Sequence, residues 1–171
     1  IENATNSQIE QNSQIEDFIN NGCDIICVNL VDRTDPSMII DKAKSADIPV
    51  IFFNRELVEE DLERWDRLYY VGAVALESGI MQGQIVVKQY KEKGEKIDRN
   101  KDGILQYVML EGEAGHQDSI MRTEYSVNTV IESGCQVEKL DYAIANLNIA
   151  QAKTKILQWI EDMGDEIEVV F

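Results

Sequence analysis

The sequence predicts an α/β protein built on parallel sheet, and two observations carry that prediction. Stretches with the apolar period of a helix alternate along the chain with short β-branched runs, and those runs are nearly all apolar, as strands covered on both faces are. Strands that alternate with helices imply crossover connections and helices on both faces of a sheet.

Ile9, Ile15, Phe18 and Ile19 form the first helical stripe, which ends at Asn21-Gly22. The run "DIICVNLV" follows as a strand. Asp35 then precedes Pro36, the pairing expected of a helix N-cap and first turn, so "PSMIIDKAKSAD" reads as a helix leading into the strand "IPVIFF". A charged segment from Leu57 to Arg67 separates it from the short strand "LYYVG". A long helix is expected from about Ala75 to Glu92, then the strand "ILQYVML", a helix over roughly Asp118 to Ser133 and the strand "CQVEKLDYAI". The last helix, "NIAQAKTKILQWIEDMG", places Ile149, Ala152, Ile156, Trp159 and Ile160 inward, and "EIEVVF" closes the series as a strand.

A chain of 171 residues with 44% hydrophobic and 7% aromatic content can bury a real core, which excludes disorder. It begins with neither Met nor a signal peptide and is expected to be a piece of a longer chain. No apolar run is long enough to cross a bilayer. The net charge of −16 leaves no electrostatic footprint for phosphate, so nucleic acid is not an expected partner. Cys23 and Cys27 sit four residues apart on a predicted strand, too far to bridge, and Cys135 stands alone; all three are expected as structural thiols. Tyr69, Tyr70, Trp65 and Trp159 are expected in the core.

In open α/β sheets, ligands lie beyond the carboxyl ends of the strands, so the polar residues there are the candidates. Asn29 and Asp32 follow "DIICV", Asn54 follows "IFF", and "EGEAGHQD" follows "YVML". Within "GHQDSIMR", His116, Asp118 and Arg122 fall in one loop and the first helical turn after it. A carboxylate accepts from hydroxyls, a guanidinium donates in a planar fork and an imidazole does either, a set suited to a neutral polyhydroxylated ligand. From spacing alone, the competing reading is that Asp118 caps the helix and Arg122 pairs with it. His116 is the only histidine, with no nucleophile motif beside it, so no enzyme is expected.

The stretch "DRNKDGILQYVML" opens as a calcium loop. Asp98, Asn100 and Asp102 put an oxygen at alternate positions, Gly103 allows the sharp turn, Ile104 offers its carbonyl at the seventh position and Gln106 stands at the ninth. The twelfth position, where a bidentate Glu belongs, is Met109. Because "LQYVML" must run on as a strand, the closing carboxylate has to come from elsewhere.

In order along the chain, "VNLVD", "PVIFFNRE", "YYVG", "ESGIMQG", "NKDGILQYV", "GEAGHQD", "AQAK" and "IEVV" resemble the glucose/galactose-binding proteins of bacterial ABC transporters, within the type I periplasmic binding protein group. The resemblance implies parts of two doubly wound lobes, residues 1–71 and 72–171, with "YYVG" as one hinge crossing. It implies an extracytoplasmic protein, periplasmic or lipid-anchored and monomeric, that captures a monosaccharide and delivers it to an ABC permease, with a chemoreceptor as a further partner. Asn54, His116, Asp118 and Arg122 match the family's sugar-binding residues, and Glu168 in "IEVV" matches the carboxylate that completes a structural calcium site. The effector domain of a LacI-type transcription regulator, which shares the fold, is the alternative; calcium argues against it, since cytosolic regulators have little use for such a site. Where the family carries a stacking Trp shortly before "AQAK", this chain has Leu147, so the affinity is lower, another residue such as Tyr142 substitutes, or the sugar differs.

Overall fold

A computed structural model describes residues 1–171 and every side chain but that of Glu95. The chain forms two compact units, Ile1–Ala73 and Val74–Phe171, so the division falls two residues beyond Val71.

The first unit has helices α1 (Gln8–Asn20), α2 (Ser37–Ser45) and the single turn α3 (Glu59–Leu62), with strands β1 (Ile26–Val28), β2 (Val50–Phe53) and β3 (Leu68–Val71). The three strands are parallel, in the order β1-β2-β3. Ser7 starts α1 by accepting the Glu10 amide on its hydroxyl at 3.2 Å. At α2 the expected cap is displaced: Pro36 itself occupies the N-cap position, without a side-chain hydrogen bond, and the Asp35 amide instead donates to the Asp32 carbonyl. Proline supplies no N–H at a place where none is needed, so the helix starts without help from Asp35. Ile39, Ile40, Val50 and Phe52 are fully buried, each contributing about 1.5–3 kcal/mol relative to exposure.

The second unit has α4 (Ala75–Ile97), β4 (Ile104–Glu111), α5 (Gln117–Glu132), β5 (Gln136–Ile144), α6 (Ile149–Met163) and β6 (Val169–Val170), with parallel strands in the order β5-β4-β6. Helix α4 outlasts its expected end at Glu92, carrying on through a kink at Lys93 as far as the start of the predicted calcium loop. Central β4 is buried on both faces. Leu105, Tyr107 and Met109 pack with Val130 and Val169, and the Tyr107 ring meets Phe171 edge-on at 5.5 Å.

Some residues expected inside are outside. Ile149 is 87% exposed and Ile160 58%, because only the part of α6 around Trp159 reaches the sheet. Tyr69 is half exposed on β3 and Cys27 is exposed on the edge strand β1, since neither strand is covered on both faces along its full length. All three cysteines are free. Among the described residues, no helix is long and apolar enough to cross a membrane.

Where β4 pairs with β5, the register shifts so that Val108 faces Asp141 directly after Tyr107 faces Lys139. At this bulge Asp141 accepts the Trp159 indole N–H at 2.5 Å and pairs with Lys155 at 3.0 Å. The Trp159 hydrogen bond, the Tyr142 amide and Lys155 together hold the Asp141 carboxyl down to about 2. A depressed carboxylate stabilises the fold above its unfolded value, about 3.9, and that contribution disappears as pH falls towards 2. Asp141→Asn is therefore expected to melt below wild type at neutral pH, with the gap narrowing between about pH 4 and pH 2. Circular dichroism melts across that range test it, and a gap that does not change with pH would refute it.

Candidate functional site

The sequence-predicted residues lie in both units. Asn54 follows β2 directly with φ 65°, the left-handed conformation that asparagine tolerates better than most residues. Its side-chain amide donates to Asn29 Oδ1 at 3.3 Å, and the Tyr70 hydroxyl donates to its carbonyl at 2.9 Å. Two strand-end asparagines thus stand side by side after β1 and β2, with Asn54 exposed. A hollow of about 650 Å³ runs along β1 and the 1–6 segment, and Asn54 does not line it.

In the second unit, β4 ends at Glu111 and the chain turns through Gly115, φ 74°, into α5. The Ser119 hydroxyl ties the turn by accepting the Glu113 amide at 3.0 Å. The helix cap is His116, not Asp118: its Nδ1 accepts the Asp118 amide at 3.2 Å. A neutral imidazole that accepts at Nδ1 carries its proton on Nε2, so His116 becomes a donor with a fixed role. Freed from capping, the Asp118 carboxylate keeps its acceptor capacity. Nor does Arg122 pair with Asp118. With the Gln82 amide oxygen turned towards it, the guanidinium donates to α4 from Nη2 at 3.1 Å and Nε at 3.3 Å. Around one strand end, a donor, an acceptor and a planar fork are thereby held apart from one another, each available to a ligand.

Glu111 opens the candidate segment "EGEAGHQD", in which the sequence assigned it no role of its own. It is buried at the carboxyl end of β4. Burial first, then a hydrogen bond with Glu111, pushes the Tyr142 phenol up. Lys139 stands 5.9 Å from the centre of the Tyr142 ring, so one face of this expected sugar platform already holds a cation. Leu147, φ 53° and 70% exposed, sits in the loop after β5 and near Gly112 after β4.

The metal loop lies at the opposite, amino-terminal end of β4. Glu168 does reach it: its carboxylate accepts the amides of Arg99 and of Gln106, the latter at 3.3 Å, and its own amide donates to the Gln106 carbonyl at 2.9 Å. Asp98 accepts the Gly103 amide at 3.0 Å on Oδ2, while Oδ1 is buried with no hydrogen-bond partner. An orphaned buried carboxylate oxygen is what a cation would satisfy, so the residues fit the ion. The carboxylates are nonetheless not gathered. Asp102 Oδ2 accepts the amides of Asn100 at 3.1 Å and Gln106 at 2.9 Å, and among the described residues no three acidic, His or Cys side chains form a cluster. Hydrogen bonds, that of the Ile104 amide foremost, hold the Asp102 carboxyl below its ordinary value.

Two parallel α/β units with polar residues gathered at their strand ends define a binding protein, and a family comparison agrees. The periplasmic binding protein domain matches residues 1–171, so the chain belongs to that family, whose members named here are solute-binding proteins. It is 37% identical over 168 residues to the D-galactose/methyl-galactoside binding periplasmic protein of Haemophilus influenzae, covering 98% of this chain and 50% of that one. Among solved structures, it resembles an ABC transporter solute binding protein from Bacillus halodurans with bound myo-inositol, at 27% identity and TM-score 0.77, covering 98% and 52%. A Mycobacterium smegmatis protein in complex with β-D-fucofuranose matches at 26% identity and TM-score 0.78, covering 99% and 52%. The chain spans about half the length of the curated relatives it matches. These relatives leave the reading as a LacI-type regulator without support.

Proposed function

We propose that the protein binds a monosaccharide or similar cyclic polyol outside the cytoplasm, in the periplasm or at a lipid-anchored cell surface, and delivers it to an ABC permease. The single observation that carries this is the arrangement at the start of α5: His116 caps the helix, which leaves Asp118 as acceptor and Arg122 as donor without pairing them to each other. In the first unit, taken by itself, Asn54 is an exposed neutral amide at a strand end. Similarity to a galactoside-binding protein supports a hexose, and the myo-inositol and fucofuranose complexes widen the class to rings of other shape. Leu147 offers a ring an apolar contact without a flat π face, which accords with that wider class. A structural calcium ion, held by Asp98, Asn100, Asp102, the Ile104 carbonyl, Gln106 and Glu168, would supply a fixed positive charge that ties the loop to β6, away from the sugar.

Isothermal titration of the full-length gene product with D-galactose, D-glucose and myo-inositol tests the reading. Heat is expected with at least one of them. Arg122→Ala is expected to weaken that binding by about 10- to 150-fold, the value of a hydrogen bond to a charged group. No heat with any of the sugars would refute the function.

A further inference from the structure

Helices α4 and α5 approach each other unusually closely on the side that carries Arg122. A Cβ on Gly79 would lie 3.1 Å from the Met121 carbonyl oxygen and 3.2 Å from Arg122 Cα, and a Cβ on Gly83 would lie 2.5 Å from the Ser126 carbonyl oxygen. Only glycine permits that spacing. Gln82 stands between these two glycines in the sequence of α4, half buried, with its amide against Arg122 of α5. What it meets is the Nε and Nη2 edge of Arg122, at 3.3 and 3.1 Å.

We propose that Gln82 is a positioning residue that fixes the Arg122 guanidinium for ligand binding. The assignment rests on the sugar-site reading of Arg122. Two physical points carry it. Arginine has a flexible stem, and an exposed arginine loses several rotamers on binding; a single acceptor taking two N–H groups from one edge fixes the plane beforehand, so that loss is not charged to the ligand. The acceptor is also neutral. A carboxylate in its place would neutralise the guanidinium, whereas an amide orients it, keeps its full charge and leaves its other N–H groups to hydroxyl oxygens. The close glycine contact fixes the separation of the two backbones that carry Gln82 and Arg122.

Two variants of the full-length gene product test this. Gln82→Met keeps the length and helix propensity but removes the acceptor, and Gln82→Glu restores one. In wild type the Arg122 Nε–H is expected to give a protected resonance in 15N NMR. In Gln82→Met its exchange with water should quicken by at least about tenfold, D-galactose should bind about tenfold more weakly, and the melting temperature should hold. Gln82→Glu should recover the protected resonance. D-Glucose and myo-inositol serve as the other probes if D-galactose gives no heat. Equal protection and equal affinity in Gln82→Met and wild type overturn the assignment, as does an Nε–H resonance in Gln82→Glu as exposed as in Gln82→Met, which would mark a packing role only. A wild type that binds none of the three sugars overturns the sugar reading and this assignment with it; a wild type that binds, with Gln82→Met unchanged, overturns this assignment alone.

Discussion

Alanine at Gly83 is expected to destabilise the second unit by about 1–3 kcal/mol, although alanine is the better helix former. Two effects oppose each other. Gly→Ala inside a helix gains up to about 1 kcal/mol from propensity. Against it, the new methyl would sit 2.5 Å from the Ser126 carbonyl oxygen and 2.6 Å from Thr129 Cβ. Neither neighbour is the tip of a flexible side chain, so relief requires α4 and α5 to separate, and overpacking wins. Gly94 in the same helix provides the contrast, since a Cβ there meets nothing within 4 Å. Gly94→Ala should be neutral or stabilising. Urea unfolding followed by circular dichroism compares the two, and a Gly83→Ala variant as stable as Gly94→Ala would show that the helices are not in close contact at this point.

Calcium is expected to raise the melting temperature, and chelation to reverse it. An ion held by the folded protein alone, at a hundred times its dissociation constant, stabilises by about 2.7 kcal/mol, roughly 10 °C or more for a unit of this size. The orphaned Asp98 Oδ1 is the reason to expect ion binding. Binding would also turn the Asn100 and Gln106 side chains, because their amide N–H groups now point at oxygens the ion would take. Magnesium should do less, since it prefers few protein ligands and several waters. Glu168→Gln should remove most of the gain, because Glu168, just before β6, is the one ligand from outside residues 98–106. If wild type melts at the same temperature in calcium and in chelator, the loop is a turn and no more.

Both glycines at the helix contact lie in "ESGIMQG", where the sequence shows small residues at helical spacing but not which helix they meet. The same limit recurs elsewhere. Asp118 and Arg122 are correctly spaced for an ion pair on one helix face, and spacing alone favours it. The structure gives His116 the cap and Gln82 the arginine, because the residue just before the helix and a residue on another helix compete for the same groups. Ile149 and Ile160 follow the apolar period of α6, yet that helix meets the sheet along only part of its length. The turn α3 hides within a charged segment with no apolar period to mark it.

By itself, the sequence determined the alternation of strands and helices, their parallel pairing, and the polar residues left at strand ends, because period and turn chemistry are local and each element carries its own signal. It carried the first half of a calcium-loop pattern for the same reason. Only the tertiary structure decided which residues share a partner: that Glu168 closes on Gln106 from sixty-two residues away, that Asp98 keeps a buried oxygen unsatisfied, and that Arg122 is held from α4. Those outcomes depend on how closely two helices or two strands can approach, and that distance is set by packing between segments far apart in the chain, which no local pattern records.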